Sequence, residues 1–296
     1  MPNPRRFPGA LALAMAVLAA FAAPAAAGKL KVVASFSILG DLAARVGGDA
    51  IDLTVLVGPN GDAHSYEPTP ADQRAVAGAA VLIANGLGFE PWLGRLREAA
   101  GFQGLAVDAA TGILPLTVPG QDVPDPHAFQ DLANGAVYVA NILQALTAAD
   151  PAHAAQYREN ARRFTGEILD LHQEITGEIA AIPPANRRVL TSHDAFQYFA
   201  KAYGIQFLAI QGVHTESEPT AADLGRLSDQ VKSLGVKAIF LENMSNPALA
   251  RTLSDETGVP VGGELYADAL SGSDGPAADY LALFRANVAA LLALLR

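Results

Sequence analysis

The 296-residue chain contains no cysteine. That absence excludes disulfides, a thiolate nucleophile, thiolate ligands for a metal and the thiol that carries a lipid anchor. Basic residues are scarce, with 20 Lys and Arg against 30 Asp and Glu, a formal charge of -10. No Lys/Arg cluster follows Arg6, which argues against nucleic-acid binding. The acidic balance mildly favours cationic partners. No HExxH run and no GxSxG elbow occurs, so the commonest zinc-protease and serine-hydrolase signatures are missing. Past the N-terminus no segment reads as transmembrane. The closing "YLALFRANVAALLALLR" is interrupted by Arg285 and Asn287 and reads as a packed terminal helix.

What is present begins with a processing signal. Arg5 and Arg6 precede the apolar "LALAMAVLAAFAA" and the small residues of "APAAAG". This reads as a secretory signal peptide over residues 1–27, cut after Ala27. The expectation is a periplasmic protein without a lipid anchor. The rest, half of it apolar, suffices for one large core or two medium ones.

From residue 28 short apolar runs alternate with helical stretches. "LKVVASF", "IDLTVLV", "AAVLIANG" and "GLAVDA" read as strands, with helices near 70–78 and 91–100. Thr69, Pro70 and Asp72 supply a helix start with a box-like cap. A second block shows the same alternation in "RRVLTS", "IQFLAI", "VKAIFLE" and "VPVGGEL". Such runs predict α/β architecture with mainly parallel strands. "EPTPAD" at 67–72 is echoed by "EPTAAD" at 218–223, either as a trace of duplicated lobes or as shared helix-start chemistry. Between the blocks Tyr157, Ala161, Phe164, Ile168, Leu171, Ile175 and Ile179 recur at helical spacing. Asp150-Pro151 starts that helix and Pro183-Pro184 stops it. At about 1.5 Å per residue it would span roughly 45 Å, enough to cross a domain. The fold expected is two parallel-sheet α/β lobes, residues 28–150 and 183–296, joined by one long backbone helix over 151–182. A ligand would bind in the inter-lobe crevice, near the C-terminal ends of strands.

The histidines divide into two groups. His153 and His172 sit on the long helix and read as surface or packing residues. His64 lies in the loop "GPNGDAHSYEPTPAD". His127 lies in "QDVPDPHAFQD", ahead of a helix, and His193 follows the strand "RRVLTS". All three fall where a crevice would be lined. Zinc favours imidazole nitrogen, and without cysteine a fourth ligand would be a carboxylate. Asp268, past the last strand, is the candidate, with Glu264 as its local rival. Spacings of 63, 66 and 75 residues match no local zinc motif.

Here several motifs together resemble a known family. "GDAHSYEPTPAD", "PDPHAFQD", "LTSHDAFQYFAKAYG", "GVHTESEPTAAD" and "LYADALSG" are similar, in order, to the metal-binding subunits of bacterial ABC importers for zinc and manganese. These are the cluster A-I periplasmic proteins, the zinc-uptake and TroA-like group. The resemblance covers nearly all of the mature chain. It implies that His64, His127, His193 and Asp268 are the metal ligands. It also implies that the chain is not an enzyme, but captures an ion and hands it to a membrane permease. Histidine at the third position resembles zinc binders, whereas glutamate there resembles manganese binders. Three imidazoles and one carboxylate also suit zinc over harder manganese.

Two departures stand out. Residues 64 to 127 hold no further histidine, so the His-rich loop of many zinc-uptake members is absent, and a separate periplasmic metallochaperone could supply zinc instead. The disulfide of some members is also absent. His214 has two readings, a transient ligand during loading or a polar loop residue. Asp62, Glu67, Asp125 and Asp194 are sequence neighbours able to accept a ligating histidine's second N–H. Phe196, Tyr198 and Phe199 read as packing residues, and Trp92 as packing at a helix start. The alternatives to a zinc carrier are a manganese-binding importer subunit, an exported zinc hydrolase and a metal-dependent adhesin. The carrier is expected to act as a monomer and to change shape only locally, since the long helix resists a wide hinge.

Overall fold

The computed structural model describes residues 28–118, 122–213, 215 and 220–296. The signal-peptide segment 1–27 and His214 lie outside the described residues. The first lobe runs β1 (Leu30–Phe36), α1 (Ser37–Gly47), β2 (Ile51–Val57), α2 (Pro70–Gly78), β3 (Val81–Ala84), α3 (Leu93–Ala100), β4 (Leu105–Asp108) and α4 (Leu132–Ala149). A long helix, α5 (Ala154–Ala180), follows. The second lobe runs β5 (Arg188–His193), α6 (Gln197–Tyr203), β6 (Gln206–Gln211), α7 (Ala221–Leu234), β7 (Ala238–Glu242), α8 (Ala248–Thr257), β8 (Val261–Leu265) and α9 (Tyr280–Leu295).

Each lobe holds a four-stranded sheet, in the orders β2-β1-β3-β4 and β6-β5-β7-β8. Every ladder is parallel. Parallel neighbours need crossovers, and the intervening helices supply them. The central strands β1 and β3 are covered on both faces, which is why they read as unbroken apolar runs. The two orders are one topology repeated. The sequence echo falls on equivalent helices, α2 and α7. Each opens with a capping box, Thr69 with Asp72 and Thr220 with Asp223.

α5 has 27 residues and spans about 40 Å. Its buried positions are Ala154 plus the seven residues of the stripe read from sequence. The segment expected to open it departs from an α-helix: Pro151–His153 form a 3₁₀ turn. Asp150 takes hydrogen bonds there from Tyr157 Oη (2.8 Å) and His153 Nδ1 (2.6 Å), which tighten the entry. One described helix, α4, is long and apolar enough by composition to cross a membrane. It is a core helix, burying Leu132, Gly135, Tyr138, Val139, Ile142, Ala145 and Leu146 on one face. At Gly135 a Cβ would lie 2.7 Å from the Tyr280 hydroxyl, so only glycine lets α9 dock there.

The main core is continuous across the molecule. It joins Val33, Ile83 and Tyr138 of the first lobe to the α5 stripe and to Phe199, Phe240 and Phe284 of the second. A smaller cluster of Leu190, Val231, Ile239 and Leu253 lies under α7 and α8. A shared core of this kind opposes independent motion of the lobes. The C-terminal ends of the strands in both sheets face a common crevice.

Candidate metal centre

Four buried side chains meet in that crevice. His64 lies in the loop after β2, His127 in the loop between β4 and α4, His193 at the end of β5, and Asp268 just past β8. One ligand atom from each lies within 4.8 Å of all the others. His64 Nε2 is 3.2 Å from His127 Nε2 and 3.1 Å from Asp268 Oδ2. His193 Nε2 is 2.9 Å from Asp268 Oδ2, and His127 Nε2 is 3.6 Å from Asp268 Oδ1. None of the four is more than 1% exposed. Glu264, the local rival to Asp268, is exposed on β8 and accepts the Tyr266 hydroxyl instead.

The surrounding carboxylates fix which nitrogen faces inward in two of the three rings. His127 donates its backbone N–H (2.9 Å) and its Nδ1–H (2.8 Å) to Asp125 Oδ1. His193 donates its backbone N–H to Glu242 Oε1 (3.0 Å) and its Nδ1–H to Glu242 Oε2. With Nδ1 carrying the proton, a neutral ring turns a lone pair on Nε2 toward Asp268. Lone pairs and a carboxylate packed this closely repel one another unless positive charge lies between them. Asp268 Oδ1 adds a buried oxygen with no hydrogen-bond partner among the described residues. The site is built to hold either protons or a cation.

The ionisation of the groups fits this. Burial alone would lower the pKa of His127, but Asp268 and Asp125 outweigh it and push it up to about 9. For His193, burial is likewise overcome by Glu242 and Asp268, and its pKa stands well above the ordinary value. Burial would raise Asp268, yet His127 and His193 hold it well below the usual carboxylate range. At His64 burial prevails over the pull of Asp268 and the pKa falls. The raised His127 and His193 and the lowered Asp268 show one trend: the cluster favours positive charge beside its carboxylates.

Of the four acidic neighbours considered for the second ring nitrogen, only Asp125 accepts one. Asp62 Oδ1 accepts the backbone N–H of His64 at 2.8 Å, and its Oδ2 accepts the Thr215 hydroxyl from the second lobe at 2.6 Å. Asp194 accepts Gln197 Nε2 at 2.6 Å, and Glu67 is exposed. Glu242 is the residue the sequence did not disclose. Its one signal was an acid ending the apolar run "VKAIFLE" at the crevice-side end of β7. His153 and His172 lie away from the cluster, on Asp150 and on the Tyr203 hydroxyl (3.0 Å).

Aromatic rings wall the first-lobe side. Phe89 meets His64 edge-on at 4.6 Å and His127 at 5.8 Å between centroids. Trp92 packs at the start of α3, as expected, and its indole N–H also donates to the Ala63 carbonyl at 2.7 Å. That bond anchors the chain one residue before His64. Phe196 and Phe199 are buried packing residues, and the Tyr198 hydroxyl donates to the Asp125 carbonyl at 3.0 Å.

Fold and site together define a class: a two-lobed α/β binding protein with a helical linker and a buried His-His-His-Asp cluster in its crevice. Residues 32–293 match the family described as zinc-uptake complex component A, periplasmic. The chain is 35% identical over 259 residues to the manganese-binding lipoprotein MntA of Halalkalibacterium halodurans, covering 88% of this chain and 86% of that one. It is 32% identical over 263 residues to the iron-binding protein YfeA of Yersinia pestis, covering 88% and 84%. Among solved structures, the periplasmic zinc binding protein TroA from Treponema pallidum superposes with a TM-score of 0.86 at 25% identity, covering 90% of this chain and 99% of that one. The Mn-bound periplasmic metal binding protein from Candidatus Liberibacter asiaticus gives 0.81 at 31% identity, covering 90% and 99%. The chain belongs to the zinc-uptake and TroA-like family of periplasmic metal-binding proteins, the substrate-binding components of ABC importers.

Proposed function

We propose that this protein captures zinc in the periplasm and delivers it to the permease of an ABC importer, with His64, His127, His193 and Asp268 as the four ligands. The observation that carries the reading is the convergence of three imidazole nitrogens and one carboxylate in a buried cluster, with the His127 and His193 rings oriented by Asp125 and Glu242. Ligands about 2.0 Å from a tetrahedral zinc lie about 3.3 Å from one another. Four of the contacts, at 2.9 to 3.6 Å, lie close to that value, and the four ligand atoms all fall within 4.8 Å of one another. A nitrogen-rich donor set also suits zinc over a hard, oxygen-preferring ion. Four protein ligands leave no open position for a substrate water, so the reading is of a carrier and not a hydrolase. The protein works as a monomer. The absence of cysteine from its sequence supports an unanchored form, although curated relatives are named lipoproteins. A separate periplasmic metallochaperone is the proposed alternative source of zinc, in place of the His-rich loop that the sequence lacks between residues 64 and 127.

Manganese is the second reading. Relatives at 30–35% identity are named for manganese or iron. The free Asp268 Oδ1 would let the carboxylate bind through both oxygens, raising the coordination number toward what manganese prefers. Titrating chelator-stripped protein with each ion against a competing chelator separates the two. One tight zinc per chain with manganese far weaker supports the zinc carrier. Equal or tighter manganese binding replaces it with the second reading.

A further inference from the structure

Two sets of contacts join the ligand-bearing segments across the lobes, and they differ in their exposure to water. The inner set is buried. Gln130, three residues past His127, donates its amide to the carbonyls of Tyr266 and Ala267, just ahead of Asp268. Within the second lobe, Asn287 of α9 steadies the same segment, accepting the Tyr266 N–H at 2.7 Å and donating to the Tyr266 carbonyl at 2.9 Å. The outer set lies on the rim. Asn60 donates its backbone N–H to the Leu270 carbonyl at 2.9 Å. Its side-chain Oδ1 accepts from Asn243 Nδ2 at 2.9 Å, and the same amide reaches the Ala269 carbonyl at 3.3 Å. Asn60 is exposed and Asn243 partly so.

We propose that the Asn60–Asn243 pair is a rim clasp that sets how fast the bound cation leaves the crevice. This rests on the reading of His64, His127, His193 and Asp268 as the cation site. Asn60 precedes His64 by four residues. Asn243 directly follows Glu242, which grips His193, and touches the residue after Asp268. One amide pair therefore ties three ligand-bearing segments from two lobes. A cation enclosed by four buried groups leaves only when one segment swings aside. The inner contacts are costly to break, because their donors would be stranded out of water. Hydrogen bonds on the rim exchange readily for water, so the lobes part first at the Asn60 side of the crevice, while the Trp92–Ala63 bond keeps His64 on the first lobe. Beside the clasp lies a cavity of about 360 Å³ lined by Asp62, Thr215, Met244 and Ser245, where the Asp62–Thr215 hydrogen bond at 2.6 Å is a second rim contact between the lobes. The backbone explains the choice of residue. Asn60 has φ +58°, a conformation that asparagine tolerates and most residues do not.

Both are positioning residues, and the test separates that role from plain structural support. Asn60→Gly keeps the backbone conformation and removes only the amide. Asn243→Ala removes the other half. Each protein is loaded with zinc, and release to excess chromogenic chelator is followed by stopped flow. Loss of one neutral hydrogen bond gives release roughly two- to tenfold faster in either variant. The double variant should be no faster than the single ones, the association rate unchanged, and Asn60→Asp, which retains the acceptor, close to wild type. Wild-type release in both single variants would overturn the clasp and leave the metal site standing. So would effects that multiply in the double variant, or a lower melting temperature of metal-free protein with release unaltered. Failure of wild-type protein to load zinc would remove the site reading and the clasp with it.

Discussion

Glu242→Gln is the most informative single change, because it alters none of the four proposed ligands and almost no volume. Glu242 is 3% exposed and uses both oxygens on one residue, taking the backbone N–H of His193 at 3.0 Å and its Nδ1–H. A glutamine offers one acceptor and one donor in place of two acceptors. Whichever way the amide turns, one buried N–H of His193 faces another donor. A stranded buried donor costs about 1–3 kcal/mol. The ring can escape by moving its proton to Nε2, but that removes the lone pair from the cluster. Loss of such a supporting partner typically weakens metal binding by about 10- to 100-fold, or roughly 1.4–2.7 kcal/mol. The two estimates agree in size. Chelator competition on metal-stripped protein should therefore show zinc affinity at least about tenfold below wild type. Affinity within twofold of wild type would refute the claim that Glu242 sets the tautomer of His193.

Asp268→Asn should weaken zinc binding by more than Glu242→Gln does, because it removes the only negative charge inside the cluster. An NMR titration should also show the pKa of His127 falling from its raised value, since Asp268 is the largest cause holding it up. Zinc binding near pH 7 should release protons. A folded pKa of about 9 for His127 lies above its ordinary 6.5, so the proton's stabilising contribution is complete below about pH 6.5 and fades as pH rises through about 9. Binding enthalpies measured in buffers of different ionisation heat should then vary with the buffer, and zinc affinity should rise with pH over that window; a flat buffer dependence would contradict this. Glu90 gives a separate pH effect. Burial pushes its carboxyl up to about 7 from 4.5, so its contribution is present below about pH 4.5 and lost as pH rises through about 7. Glu90→Gln should raise the melting temperature at pH 8 relative to wild type by an amount worth on the order of 2–3 kcal/mol, with little change at pH 4.5; equal shifts at both pH values would count against it.

Much of the fold was legible because its signals are local. Fully buried parallel strands appear as short apolar runs, and the α5 stripe appears at helical spacing because one face meets the core. The start of α2 was readable residue by residue from Thr69, Pro70 and Asp72. The histidines separated by the same logic, since loops at strand ends can converge on one point while helix positions on α5 cannot. What stayed hidden depends on pairing across the chain. Glu242 reaches His193 because β7 lies beside β5 in the sheet, 49 residues away in sequence. Nearness in sequence could not separate Asp125 from Asp62, Asp194 and Glu67, of which Asp62 and Asp194 bond other partners and Glu67 is exposed. Asn60 drew no reading of its own, and Asn287 looked like an interruption in an apolar helix. Their meaning comes from the opposite lobe and from the end of β8, which no periodicity encodes.

X-ray absorption at the zinc edge of protein loaded with one equivalent tests the central claim most directly. The account expects three imidazole nitrogens and carboxylate oxygen at about 2.0–2.1 Å, with imidazole scattering reduced by one ring in His193→Ala. A shell dominated by water and carboxylate oxygens, or a spectrum unchanged by His193→Ala, would contradict it.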